Sequence, residues 1–517
     1  MTPAHTTPII TDDLPALRAD LTSAHYTVDG TTQALGELAS NALHREQAVP
    51  AQRALANQTS ACAYLIKLFI LGEEITDHQA TTAFPTLTIQ GALNLNIIEP
   101  TPHGYRATAE IRPHALTDED GQTDWWLASD LTELATGTTL NADHVLGAGG
   151  ASLTLAHITA RTPTQRVLDL GTGCGIQAIH ASRHATHITA TDISERALNY
   201  ARFNAALNNI TIDLRHGSLL EPVANEKFDL VVSNPPFVIT PRTTHDDHMP
   251  QYEYRDAGHA GDNLIHELIA NIATVLAPGG SVYMLGNWEI HNNEPWTTRI
   301  NEWLNEAEHA HGPLDAWIIQ RELLDPAQYA ETWIRDGGTT PDRNPAEYAA
   351  AYNAWLDDFD TRNVTGIGFG MIYLRKPANG KHTLRRLEEI TGTIQQPLGP
   401  VYAQALAAHD WHTALDDQQL AQQRLHCTPD VTDERYYTPG EENPNVIIIR
   451  QGSGFSRAIQ ASTPLAGLIS ASDGELSVGQ IIGALATLLS VDHTELFDEL
   501  LPDIRGLITD GILKREN

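Results

Sequence analysis

Asn234, Pro235, Pro236 and Phe237 close the apolar run FDLVVSNPPF, Phe228 to Phe237. An asparagine side chain offers a carbonyl acceptor there, and the peptide carbonyl of Pro235 offers a second. Two acceptors aimed at one NH2 group hold it and turn its nitrogen lone pair toward an electrophile. The two prolines stiffen the loop at little cost, since neither has an N–H to satisfy. Phe237 adds a planar face on which a nucleobase or an amide can stack. Residues of these types in this order fit substitution at a planar amino nitrogen. The plainer alternative is a stiff loop with no chemistry, and a second string argues against it.

That string is VLDLGTGCG, Val167 to Gly175, about sixty residues upstream. Arg166 to Leu170 reads as a buried strand. Gly171, Gly173 and Gly175 then let the backbone turn tightly and meet a ligand with no Cβ in the way. An apolar-periodic helix runs from Ile176 to about Ala185. The next strand, HITATDIS, presents Asp192, 21 positions after Gly171. An acidic residue at that strand tip is placed to accept both hydroxyls of a ribose. Dinucleotide-binding folds use similar geometry, so the spacing leaves the ligand open. The pattern G-x-G-x-G, rather than G-x-G-x-x-G, favours S-adenosylmethionine over a pyrophosphate. Cys174 inside the loop reads as a small filler, because no base is positioned to activate it.

VLDLGTGCG, Asp192 and NPPF together resemble the class I methyltransferases that modify planar amino nitrogens. These include HemK-type release-factor glutamine methyltransferases and ribosomal-RNA guanine or adenine methyltransferases. The resemblance covers about Asp130 to Pro377 and is specific for reaction type rather than substrate. It implies S-adenosyl-L-methionine as cofactor, held by Asp169, Gly171, Thr172, Gly173, Gly175 and Asp192. Ile193, Ser218, Leu219 and Asn234 complete the implied cofactor set, while Asn234, Pro235, Pro236 and Phe237 form the implied catalytic set. Relatives often have an acidic residue near the adenine where HGSLLEP offers Ser218, which leaves that recognition to backbone groups. DHVLGAGGAS, Asp143 to Ser152, lies where such enzymes close over the cofactor. YRDAGHAGDNL, Tyr254 to Leu264, matches a glycine-rich segment of the HemK-like group.

The expected fold is α/β, a Rossmann-like methyltransferase domain with a seven-stranded mixed sheet, spanning residues 130–377. Further strands fit Ile210–His216, SVYMLGNW, Leu314–Leu323 and a last one from Thr365. A helix from Asn263 to Leu276 ends at Ala277-Pro278-Gly279-Gly280, and another runs from Pro295 to Ala310. Residues 325–362 carry Tyr329, Trp333, Tyr348, Tyr352 and Trp355 at helical spacing and read as a helical insertion, either packing or a wall of the substrate cleft. Residues 1–129 read as helices followed by a hairpin-like wing, and 378–517 as strands and helices. Both are expected to be separate winged-helix-like α+β domains. Pro429 to Asn445 reads as a loop or linker.

Length and composition narrow the class. A chain of 517 residues implies about three domains. Cys62, Cys174 and Cys427 are too scattered for a disulfide framework or a thiolate metal site. No apolar stretch reaches 18 residues and no signal peptide is visible, so a soluble, cytoplasmic protein without membrane contact is expected. The chain has 65 acidic and 32 basic residues. Residues 1–150 hold 18 acidic against 6 basic, and 151–300 hold 15 against 10. No block is basic, so no domain shows the electrostatic footprint of a nucleic-acid binder. Arg202, Arg242 and Arg255 are the candidates for a local basic rim. THDDHMP, with His245, Asp246, Asp247 and His248, invites a metal reading, but methyl transfer to nitrogen needs none, and a loop beside the cleft is expected instead. The acceptor is expected to be a macromolecule, a release factor or a ribosomal or transfer RNA. Protein and RNA stay open, as does a non-catalytic module that only binds the cofactor, RNA or protein.

Overall fold

The computed structural model describes residues 7–118, 121–138, 140–241, 255 and 258–515. The chain divides into two compact units, Met1–Ala156 with Pro163–His382, and His157–Thr162 with Thr383–Asn517.

Seven strands of the first unit build its central sheet. They are β1 (Thr164–Leu170), β2 (Ala185–Asp192), β3 (Asp213–His216), β4 (Phe228–Ser233), β5 (Leu276–His291), β6 (Asp315–Leu324) and β7 (Val364–Arg375). They lie in the order β3-β2-β1-β4-β5-β7-β6. β1 to β5 pair in parallel. β7 runs antiparallel to both β5 and β6. Val167–Leu170 and Leu230–Ser233 are buried throughout, as expected of central parallel strands covered on both faces. The strand order reverses between β1 and β4, and open α/β sheets bind ligands at such a point, beyond the carboxyl ends of the strands. The glycine loop leaves β1 there, and Asn234 leaves β4 beside it.

Five helices matter to the site: α1 (Ile176–Ala181), α2 (Glu195–Leu207), α3 (Asn263–Asn271), α4 (Pro326–Asp336) and α5 (Pro345–Thr361). α4 and α5 are the helical insertion. α4 starts at a capping box, in which Asp325 accepts from the Gln328 amide, with Pro326 at the first turn where its missing N–H costs nothing. Tyr329, Ala330 and Ile334 of α4 and Trp355 and Phe359 of α5 pack in one core with Val238, Ile239, Val364 and Ile367. Of the two roles open to the insertion aromatics, Tyr329 and Trp355 are therefore packed.

The first 129 residues differ from the separate module expected. Helices from Leu14 to Asn94 and the hairpin Ile98–Thr101/Gly104–Ala107 do follow the order read from sequence. A longer hairpin, Glu110–Asp118 with Gly121–Ser129, comes next. All of it shares a core with the central domain, in which Leu17, Leu21, Phe69 and Trp125 join Ile176, Ile179, Tyr200 and Phe203. Arg18 donates from Nε and Nη2 to the carbonyls of Leu207 (2.7 Å) and Ala206 (2.8 Å), which lie in the last turn of α2. The buried Asn204 amide bridges the Ala128 N–H and C=O and the Cys174 C=O. Apolar faces of α1 and α2 are thus covered by chain that precedes β1, and the unit boundary falls at His382 rather than at residue 129.

The second unit holds the helices Gly399–Thr413, Thr463–Ala471, Val478–Leu489 and His493–Thr509 around an apolar core that includes Leu425, Leu468, Ile482 and Leu500. The expected linker 429–445 contains a strand instead. Val431–Tyr436 pairs antiparallel with Val446–Gln451. Its outward charges hid it, and they are paired there: Glu434 with Arg450 across the strands and Asp433 with Arg435. No helix among the described residues is long and apolar enough to cross a membrane.

Candidate active site

A cavity of about 250 Å3 opens at the carboxyl ends of β1, β2 and β4. Its floor and one wall come from Gly171, Thr172, Gly173, Asp192, Ile193, Ser218 and Leu219. Asn234, Pro235 and Pro236 line it from the β4 side, while His144, Val145, Leu146 and Gly147 line it from the segment before β1. Leu264 of α3 and His259 complete it. DHVLGAGGAS, expected to close over the cofactor, reaches this cavity, and so do His259 and Leu264 of the glycine-rich segment after NPPF.

The glycine loop is held by a short set of backbone bonds. Gly171 and Thr172 both donate to the Thr191 carbonyl at 2.9 Å, and Gly175 donates to Thr172 at 2.9 Å. Gly171, Gly173 and Gly175 have φ of +73°, +55° and +92°, a region that side chains with a Cβ rarely adopt. At Gly175 a Cβ would also stand 3.3 Å from Ala201 of α2, so this glycine serves helix packing. At Gly171 and Gly173 a Cβ meets nothing within 4 Å, so their constraint is backbone conformation and the space kept in front of the loop.

Asp192 ties the loop to β2. Its Oδ2 accepts from Gly173 N–H at 2.8 Å and its Oδ1 from Ser194 N–H at 2.9 Å. A carboxylate can accept from a ligand hydroxyl as well as from backbone amides. Ile193 beside it is exposed despite its apolar side chain. Asp169 is placed differently. It is buried behind the loop, outside the cavity lining, and accepts from Thr172 Oγ1 at 2.6 Å and Ala178 N–H at 2.9 Å. Burial pushes its carboxyl up to about 7, against the pull of those two bonds, and Asp192 nearby adds to the rise. Cys174 is likewise buried, and its thiol is pushed up to about 12.

On the other side of the reversal, Ser233 Oγ donates to the Leu170 carbonyl at 2.8 Å and joins the two strand ends. Asn234 then faces the cavity. Its Oδ1 is buried and has no hydrogen-bond partner among the described residues. An orphaned buried carbonyl is costly unless a ligand supplies a donor. Phe237 stands outside the lining. It packs edge-on to Phe369, with ring centres 6.3 Å apart, against the core of the insertion.

The closing segment is anchored by Asp130, which accepts from Val145 N–H at 2.7 Å and Tyr200 Oη at 2.8 Å and forms an ion pair with Arg196. Sequence reading did not single out Asp130 or Arg196, because their partners lie 15 and 66 residues apart along the chain. Of the basic-rim candidates, Arg255 is buried, bonded to the Trp333 carbonyl and Asp336, both at 3.1 Å. Arg202 is held by Asn199 at 2.7 Å. Arg242, Tyr254 and the THDDHMP cluster fall outside the described residues, among which no group of His, Cys, Asp or Glu suited to a metal occurs.

The cavity brings together a glycine cradle, a carboxylate at the second strand tip and an orphaned carbonyl across from them, groups of the kind that suit a nucleoside ligand. Residues 147–249 match the family model described as methyltransferase small domain. Residues 23–108 match a domain of unknown function, DUF7059. A release factor glutamine methyltransferase of Deinococcus radiodurans is 38% identical over 133 residues, covering 24% of this chain and 46% of that protein. A ribosomal protein L11 methyltransferase of Lactobacillus johnsonii is 47% identical over 94 residues, covering 17% and 30%. A tRNA1(Val) (adenine(37)-N6)-methyltransferase of Pseudoalteromonas atlantica is 34% identical over 143 residues, covering 26% and 53%. The chain spans about half or less of the length of these relatives. Within that stretch the chain is similar to a methyltransferase domain.

Proposed function

We propose that the protein is an S-adenosylmethionine-dependent N-methyltransferase acting on a planar amino nitrogen of a macromolecule. The observation that carries this reading is the buried, unpartnered Oδ1 of Asn234 at the edge of the cavity. When bound, the cofactor supplies an electrophilic methyl group on a sulfonium sulfur. Gly171, Gly173 and Asp192 hold the nucleoside side of the cavity, with Ile193, Ser218 and Leu219 along the base. Asn234 Oδ1 accepts one N–H of the incoming amino group, and the Pro235 carbonyl takes the other. These two bonds would fix the nitrogen with its lone pair toward the methyl group that a bound cofactor would supply, and the proton lost from the methylated nitrogen would leave to solvent. No strong base is needed beforehand, because the nitrogen becomes acidic only as its new bond forms. Positioning and oriented dipoles then supply most of the rate.

A protein amide is the acceptor that the charges favour over an RNA base. No Lys or Arg lines the cavity among the described residues, and Arg255 is spent on Asp336 and Trp333. RNA affinity depends on cations that meet phosphates. Similarity to a release factor glutamine methyltransferase and to an L11 methyltransferase agrees with a protein acceptor, and similarity to a tRNA adenine methyltransferase keeps the base reading as the alternative. The test is transfer of tritiated methyl from labelled cofactor into release factors, ribosomal proteins and RNA from a strain lacking this protein. Label is expected in protein, and Asn234→Ala should lower the rate by about 10²–10³ with cofactor affinity nearly intact. Near-normal transfer by that variant would end the amino-nitrogen reading. Cofactor binding with no label in any fraction would favour a module that binds without catalysis.

A further inference from the structure

α4 does more than fill space. The hydroxyl of Tyr329 is fully buried and accepts two hydrogen bonds, from the Ile239 N–H at 3.0 Å and from Asn287 Nδ2 of β5 at 2.8 Å. Ile239 lies two residues beyond Phe237. The same ring sits 5.6 Å from Phe369, which in turn packs edge-on to Phe237. Tyr329 therefore reaches the NPPF loop twice, through backbone and through the aromatic wall. One helical turn further on, α4 also takes the far side of the loop: Arg255 donates to the Trp333 carbonyl and to Asp336, and its own carbonyl accepts from Val238 N–H at 3.1 Å.

We propose that Tyr329 is a positioning residue for the acceptor site: the helical insertion braces the loop Asn234–Phe237 through the Tyr329 hydroxyl, so that the Asn234 and Pro235 carbonyls keep one orientation. The proposal rests on the function argued above and extends it to a residue about ninety positions away. A tyrosine suits the place because ordinary packing needs only the ring. A buried phenol whose pKa is driven upward by desolvation stays neutral and keeps its oxygen as a fixed acceptor. Among the described residues the Ile239 amide donates to this hydroxyl alone, since it lies beyond the end of β4. Pro235 and Pro236 stiffen the loop from within, and Tyr329 fixes its exit from without.

Tyr329→Phe removes one oxygen and keeps the ring, so the variant should fold. In the full chain with S-adenosylhomocysteine bound, amide exchange followed by mass spectrometry should rise about tenfold in peptides covering 234–241 while peptides from β1 and β2 stay unchanged. Cofactor Kd by calorimetry should not move. In the tritium assay with release factors and ribosomal proteins, kcat should fall about tenfold at unchanged KM for cofactor, and Asn234→Ala should mask most of that loss in the double variant. A purely structural role would lower the melting temperature and raise exchange across the whole unit, with losses that add to those of Asn234→Ala. That pattern, or wild-type exchange at 234–241, would overturn the proposal. The exchange result needs no acceptor, so it stands or falls separately from the identity of the reaction.

Discussion

Replacing Asp192 probes the cofactor cavity most directly, because the structure shows what its carboxylate already does. The two oxygens accept from Gly173 and Ser194 amides at 2.8 and 2.9 Å, so the side chain sets the shape of the glycine loop before any ligand arrives. Asp192→Ala removes both bonds and the carboxylate that would accept from ribose hydroxyls. A hydrogen bond to a charged group contributes about 1.5–3 kcal/mol, and water replaces part of it at a partly exposed site. Loss of one loop bond and one ribose pair should therefore weaken binding by about 3 kcal/mol, roughly a hundredfold in Kd. Asp192→Asn keeps one acceptor oxygen and should lose about tenfold. Calorimetric titration with S-adenosylmethionine and with S-adenosylhomocysteine reads both numbers, with the melting temperature of each ligand-free variant as a check on folding. Unchanged Kd in both variants, with intact folding, would remove Asp192 from the site and with it the nucleoside orientation.

Two further outcomes follow from named residues. Asp169 has a folded-state carboxyl near 7 against an ordinary value of 3.8, so the stability it contributes is complete below about pH 4 and is lost as pH rises through 7. Asp169→Asn can keep partners in Thr172 and Ala178 and should remove that loss, worth about 4 kcal/mol at neutral pH, so its melting temperature should gain on the wild type between pH 4 and 8; parallel curves would contradict the burial argument. Limited proteolysis should cut first within 437–445, where exposed residues join two paired strands, and a first cut between 164 and 241 would contradict the packing of the central sheet.

The local parts of the site were legible because local backbone requirements set them. Three glycines at alternate positions, an acid 21 residues on and Asn-Pro-Pro-Phe after an apolar run each state a conformation or a chemical group, and the sheet brings them to one edge. Helical spacing likewise marked the insertion, since its buried aromatics recur on one face of each helix. What those helices do was not legible. The bond from Ile239 to Tyr329 joins residues 90 apart, and Arg255 meets Asp336 across 81. Periodicity reports which face is buried but not against what. Val431–Tyr436 escaped notice because an edge strand that faces water needs no apolar alternation once its charges pair across the ladder. The N-terminal helices looked self-contained for a similar reason: their apolar faces are evident in sequence, while the surface that covers them, α1 and α2, lies beyond residue 175. Sequence determined the glycine turn, the strand-end acid and the amide loop, because each is a property of a few consecutive residues. Tertiary structure alone decided that Asp169 stands behind the loop, that Arg255 is buried and that Tyr329 reaches the backbone just beyond Phe237, because those depend on which distant surfaces exclude water together.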